Sequence, residues 1–119
     1  QGKIYAGPVW DFDWGTFRPN RTGLIIKGAL WYGYLFTHDE FKTTLKARWA
    51  ELKPQFENLV SFIEEQAELI RESNDVNIKK WPIDGANNGD EQLSFDAIKT
   101  MIEAYTQRIQ AVDAALAAL

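Results

Sequence analysis

Phe41-Lys42-Thr43-Thr44-Leu45-Lys46-Ala47-Arg48-Trp49-Ala50-Glu51-Leu52 decides the fold class of this chain. Its large apolar residues fall at Phe41, Leu45, Trp49 and Leu52, and the spacing continues through Phe56, Leu59, Ile63, Ala67 and Ile70. Steps of three and four place side chains on one face of a helix, so this is a single stripe held in phase over about eight turns. Pro54 falls inside it. A proline in a helix interior removes one hydrogen bond and drives its ring against the carbonyl four residues back, here that of Ala50. The pattern therefore predicts two helices, 38–52 and 55–73, meeting at a kink or a very short break. Glu64, Glu65, Glu68 and Glu72 lie mostly off the stripe and read as a solvated face.

Working outward, Thr37 and Glu40 have the spacing of a capping box at the start of the first of these helices. His38, the single histidine, reads as a solvated first-turn residue, with a catalytic imidazole as the alternative. No second histidine exists to build a His-based zinc site. Leu30-Trp31-Tyr32-Gly33-Tyr34-Leu35-Phe36 is too apolar for a free loop and predicts a short helix packed on both sides, a carbohydrate platform being the functional alternative. Residues 15–29 read as loop, punctuated by Gly15, Pro19-Asn20, Gly23 and Gly28. Arg18 and Arg21 there could meet phosphate, and otherwise are simply solvated. Downstream, Ser73-Asn74-Asp75 reads as a helix end. Residues 74–90 then form a long connection pinned by Trp81. Its Asp84-Gly85 and Asn88-Gly89-Asp90 lack the ligand pattern of a calcium loop. A last helix starts near Ser94, a candidate N-cap, with Asp96 in its first turn and Leu93 against Ile98 as a hydrophobic staple. Ile98, Met101, Ile102, Tyr105, Ile109, Val112 and Leu116 form its apolar stripe.

At the other end, Pro8-Val9-Trp10-Asp11-Phe12-Asp13-Trp14-Gly15 alternates acids with large aromatics. Residues 2–14 read as one or two short strands, Lys3–Ala6 and the better candidate Val9–Trp14, with Gly7-Pro8 between them marking a turn or an edge. In a strand, residues two apart share a face, so Trp10, Phe12 and Trp14 anchor one side while Asp11 and Asp13 stand about 7 Å apart on the other. Two carboxylates on one rigid face suit a hard divalent cation shared with phosphate oxygens. The alternative is a half-buried strand whose wet side happens to carry acids.

The chain of 119 residues fits a single domain over 1–119, and a hydrophobic fraction of 45% with five tryptophans is ample for a core. A net charge of −4 gives no basic surface for nucleic acid. No apolar run reaches membrane-span length. The absence of cysteine excludes a disulfide scaffold and thiolate metal sites. A start at Gln1, almost directly in strand-like sequence, reads as a trimmed or excised piece of a longer protein. The expected architecture is mainly α (α+β), a short N-terminal β element followed by three principal helices.

Tyr5-Ala6-Gly7-Pro8-Val9-Trp10-Asp11-Phe12-Asp13-Trp14-Gly15 resembles the aspartate motif of the CotH family, named after spore coat protein H, which comprises atypical kinases and kinase-like surface or coat-associated proteins. Trp31–Phe36, Asp39-Glu40-Phe41, Arg48-Trp49 and Lys80-Trp81 fall where that family has its downstream landmarks, while Thr16-Phe17-Arg18-Pro19-Asn20 departs from its small, Gly/Asn-rich pattern. The resemblance implies the C-terminal helical lobe of such a kinase, with Asp11 and Asp13 holding Mg²⁺ on ATP in the full-length protein. It implies that the catalytic base and the ATP-binding lysine lie upstream in a missing N-terminal lobe, which would be this chain's partner. A protein substrate, a cell-surface, coat or extracellular location and an inert isolated chain follow from the same likeness. A homodimer through the uncovered aromatic surface is the further expectation for the isolated chain. The competing reading is a non-catalytic kinase-like surface or coat-associated binding module.

Overall fold

The computed structural model of the chain describes residues 15–17, 20–81 and 95–119. Three helices account for most of them: α1 (Leu30–Leu35), α2 (Asp39–Lys80) and α3 (Phe95–Ala117). The fold is mainly α, and no strand occurs among the described residues. The short strands considered at 3–6 and 9–14, the Ser94 cap and the 84–90 segment lie outside them.

The apolar stripe that begins at Phe41 forms one unbroken helix of 42 residues, so the break expected at Pro54 does not occur. Three physical facts explain this. Proline's fixed φ is already helical. Pro54 and Ala50 both face solvent, so water can satisfy the carbonyl that loses its amide partner. And α3 bridges the site: Trp49 and Lys53 bond Asp113 before the proline, while the Phe56 carbonyl accepts the Tyr105 hydroxyl at 2.8 Å after it.

Nor does α2 end at Ser73-Asn74-Asp75. It runs to Lys80, where the Trp81 amide closes it on the Asn77 carbonyl at 2.8 Å. Ser, Asn and Asp each cost a helix only about half a kcal/mol, too little to end one without glycine or proline. The first hard stop in the sequence is Pro82, and the residue before a proline is pushed out of the α region. Trp81 accordingly sits at φ −130°, ψ 74°. Its indole is 63% exposed, with the Lys80 ammonium 5.6 Å from its ring, so it does not pin the connection as expected.

The start of α2 also differs from the capping box. His38 is the N-cap and makes no side-chain cap, because Thr37 donates its hydroxyl to the Tyr34 carbonyl at 2.7 Å, closing α1 instead. Asp39 and Glu40 in the first turn favour the helix's positive end.

α2 and α3 pack antiparallel: Trp49 meets Asp113, Phe56 meets Tyr105, and Ile70 lines the same groove as Ile98. Among the described residues the buried apolar side chains are Ala67, Ala104, Tyr105, Ile109 and Leu116. The α3 stripe thus reads as expected, with Ala104 as an addition. Glu64, Glu65, Glu68 and Glu72 are exposed, as the solvated face requires. Small residues at 67 and 104 let the two helices approach closely, but the seam is thin. Phe56, Leu59 and Ile70, all on the α2 stripe, remain substantially exposed.

Candidate functional site

The carboxylates expected to hold metal, Asp11 and Asp13, lie outside the described residues, as does Arg18. What the structure shows is the loop that follows them and its fixing to the helices. Gly15 enters that loop so close to Ile25 that a β-carbon there would sit 3.2 Å from the Ile25 Cδ1. Phe17 then rests on the ring of Tyr105, with centroids 5.7 Å apart. The chain reverses through Asn20 and Gly23, at φ 64° and 66°. Glycine adopts that left-handed conformation freely and asparagine better than most residues.

At this reversal Arg108 of α3 reaches across. Its Nη1 donates to the Gly23 carbonyl at 2.6 Å and more weakly to that of Arg21 at 3.5 Å. Burial, and secondarily the like charge of Arg21, hold the Arg108 guanidinium below its ordinary pKa. Arg21, a candidate phosphate contact from sequence, thus contributes its backbone to this junction. Leu24, Ile25 and Ile26 continue the loop over Phe36, Phe41 and Leu45, enclosing a cleft of about 260 Å³.

Beyond the loop, α1 does not pack on both sides as its sequence suggested. Phe36 is covered, edge-on to Phe41 at 5.2 Å, whereas Leu30, Trp31 and Tyr34 are 87%, 74% and 68% exposed. Six residues present one face to the loop, and the Leu30 and Trp31 side is left largely open to solvent. His38 lies at this end with its ring edge against Tyr34, 4.7 Å between centroids, on the surface as the solvated reading requires.

A second polar constellation was not anticipated. Asp113 of α3 accepts from both the Trp49 indole and the Lys53 ammonium of α2, and Lys53 also faces Glu57 at 3.6 Å. The Lys53 hydrogen bond first, then that of Trp49, holds the Asp113 carboxyl below its usual value, and Asp113 in turn raises Lys53. The available signal was Asp113 itself, a lone charge in the apolar run Ala111-Val112-Asp113-Ala114-Ala115-Leu116. Its geometry is that of an interhelical lock, since every group in it already has a partner.

Among the described residues no cluster of three or more His, Asp or Glu side chains could hold a metal ion. Carboxylates such as those of Asp11 and Asp13 are hard oxygen donors of the kind Mg²⁺ takes, alongside phosphate and water. No described helix is long and apolar enough to cross a membrane. A scan against protein-family models, a search of curated proteins and a search of solved structures each return no match.

Proposed function

We propose that this chain is the C-terminal helical part of a CotH-like atypical protein kinase, supplying Asp11 and Asp13 as the Mg²⁺-binding acids for ATP-dependent phosphoryl transfer. The observation that carries the reading is the acid–aromatic alternation of residues 10–14, running directly into a loop that is fastened to α3 by Arg108. Acids that organise a charged metal–phosphate cluster must be held in place, because phosphoryl transfer is mainly positioning and charge neutralisation. When bound, the metal would neutralise phosphate charge; the chain's part is to hold two carboxylates toward it from an aromatic-anchored segment. The uncovered side of α1 supports the expectation of an N-terminal lobe seated there, bringing the ATP lysine and general base. Alone, the chain is inert. A protein substrate and a surface or coat-associated location belong to the same proposal.

A non-catalytic kinase-like surface module is the second reading. It is favoured by the exposed Trp31 and Tyr34 side chains, which suit a binding surface as well as they suit a lobe interface. Asp11→Asn in the full-length protein separates the two. The kinase reading expects autophosphorylation to fall by orders of magnitude, since a lost ligand leaves phosphate charge uncompensated, with a thermal melt that moves by less than about 1 kcal/mol, as for other surface substitutions. Unchanged activity, or a protein that no longer folds, would remove the metal role and leave the binding module.

A further inference from the structure

The cleft between the loop and the helices has a mostly apolar wall, with Leu24, Ile25 and Ile26 from the loop and Phe36, Phe41 and Leu45 beneath them. These side chains do not close on one another: about 260 Å³ stays open, and Ile25 and Ile26 are 42% and 50% exposed. The two lining residues with polar side-chain groups are Tyr32 and Arg108. An apolar cleft with a few polar groups is the usual make-up of a small-molecule site. Its charge is one-sided. No Asp or Glu lines it. Arg108 is half-buried and belongs to no ion pair among the described residues. Its Nη1 is taken up by the Gly23 and Arg21 carbonyls, while Nε and Nη2, which carry the rest of its N–H groups, have no acceptor among the described residues. Burial and the like charge of Arg21 both act against this cation. The Lys27 ammonium adds to the same sign, 5.8 Å from the ring of Phe36. In a chain of net charge −4 this is a local excess of positive charge beside an open apolar space. A cation taken partly out of water without an anion is unfavourable, and a ligand that brings one removes that cost.

We propose that this cleft binds a small monocarboxylate with an apolar body, whose carboxylate meets Arg108 and whose body fills the space among Ile25, Ile26, Phe36, Phe41 and Leu45. A planar carboxylate matches the remaining edge of the guanidinium fork. One guanidinium offsets one charge, which favours a carboxylate over a phosphate monoester carrying about −1.5 to −2. At about 30 Å³ per water the cleft has room for roughly nine waters, the scale of an acid of about eight carbons rather than a long lipid chain. The proposal makes no use of the acid motif and goes beyond the kinase reading.

The test measures octanoate binding by calorimetry to the full-length protein carrying this sequence, with octanol as the uncharged probe, in the wild type, Arg108→Met and Ile26→Glu. Octanoate is expected to bind one per chain and about tenfold more tightly than octanol, because hydrogen bonds to an ionised group are roughly twice as strong as neutral ones. Arg108→Met should remove that preference, bringing octanoate down to the affinity of octanol. Ile26→Glu sets an acid on the exposed rim of the cleft, a counter-ion for Arg108 from within the chain, and should abolish octanoate binding. If Arg108→Met loses its helices by circular dichroism, Ile26→Glu carries the test, since a half-exposed position tolerates substitution: lost binding with intact helices supports the proposal. Wild-type octanoate affinity in either folded variant overturns it. So does octanol that binds wild type as tightly as octanoate, or octanoate that does not bind at all.

Discussion

Asp113 meets an ammonium and an indole N–H from the same turn of α2, and both favour its ionised form. A carboxyl whose folded pKa is depressed contributes stability that is fully present above its unfolded value of about 3.9 and is lost as pH falls through the lower folded value. Asp113→Asn is therefore expected to be less stable than wild type at neutral pH, the difference vanishing toward acid. Urea unfolding at a series of pH values checks this, and a pH-independent difference would mean that the carboxylate's charge is not what matters. Tyr105 carries a different kind of weight. It is buried, burial raises its pKa, and its hydroxyl serves the Phe56 carbonyl. Tyr105→Phe should cost about 1 kcal/mol through the lost hydrogen bond, and Tyr105→Ala about 3–5 kcal/mol as a large core truncation. Equal effects in the two melts would show that the hydroxyl carries the whole contribution.

α2 shows where reading by pattern succeeds and where it does not. Its apolar period was legible from Phe41 to Ile70, because burial against one neighbour leaves a 3.6-residue signature in any helix. Its continuity and its length were not. Pro54 signals a break locally, and only the partners that α3 places on either side of it reverse that signal. Ser73-Asn74-Asp75 resembles an ending, yet the proline that ends the helix comes later, at position 82. The exposed side of α1 was illegible for the opposite reason: hydrophobicity announces that a surface needs cover, not what covers it. Of the candidate site, the acids were legible as a motif, but the arginine that fastens their loop carries no local mark. Pro54→Ala should stabilise the protein by about 1–2 kcal/mol. The helix-interior penalty of about 3 kcal/mol is already reduced by solvation of the Ala50 carbonyl and by proline's restriction of the unfolded chain, about 0.4–1 kcal/mol. A lower melting temperature for Pro54→Ala would show that a bend at this point is required by the packing of α3.

At the scale of the whole molecule, the described residues leave apolar surface uncovered at the α1 end, with Leu30, Trp31 and Tyr34, and along α2, where Phe62, Leu69 and Val76 recur at seven-residue intervals. Contiguous apolar surface of this kind is normally an interface. The isolated chain is expected to self-associate through the α1 end, and Trp31→Glu with Tyr34→Glu should return it to a monomer in light scattering. Association that survives both substitutions would move the contact to α2. The fastening of the loop by Arg108 also has a consequence in time. The Gly23 carbonyl leaves the ribosome 85 residues before the guanidinium that holds it; at about 5–20 residues per second that is roughly 4–17 s of synthesis. Throughout that interval the two acids have been made but the clasp on their loop has not. A message truncated between the codons for Gly23 and Arg108 would yield a polypeptide with every residue of its acid motif but without the guanidinium that holds the Gly23 carbonyl.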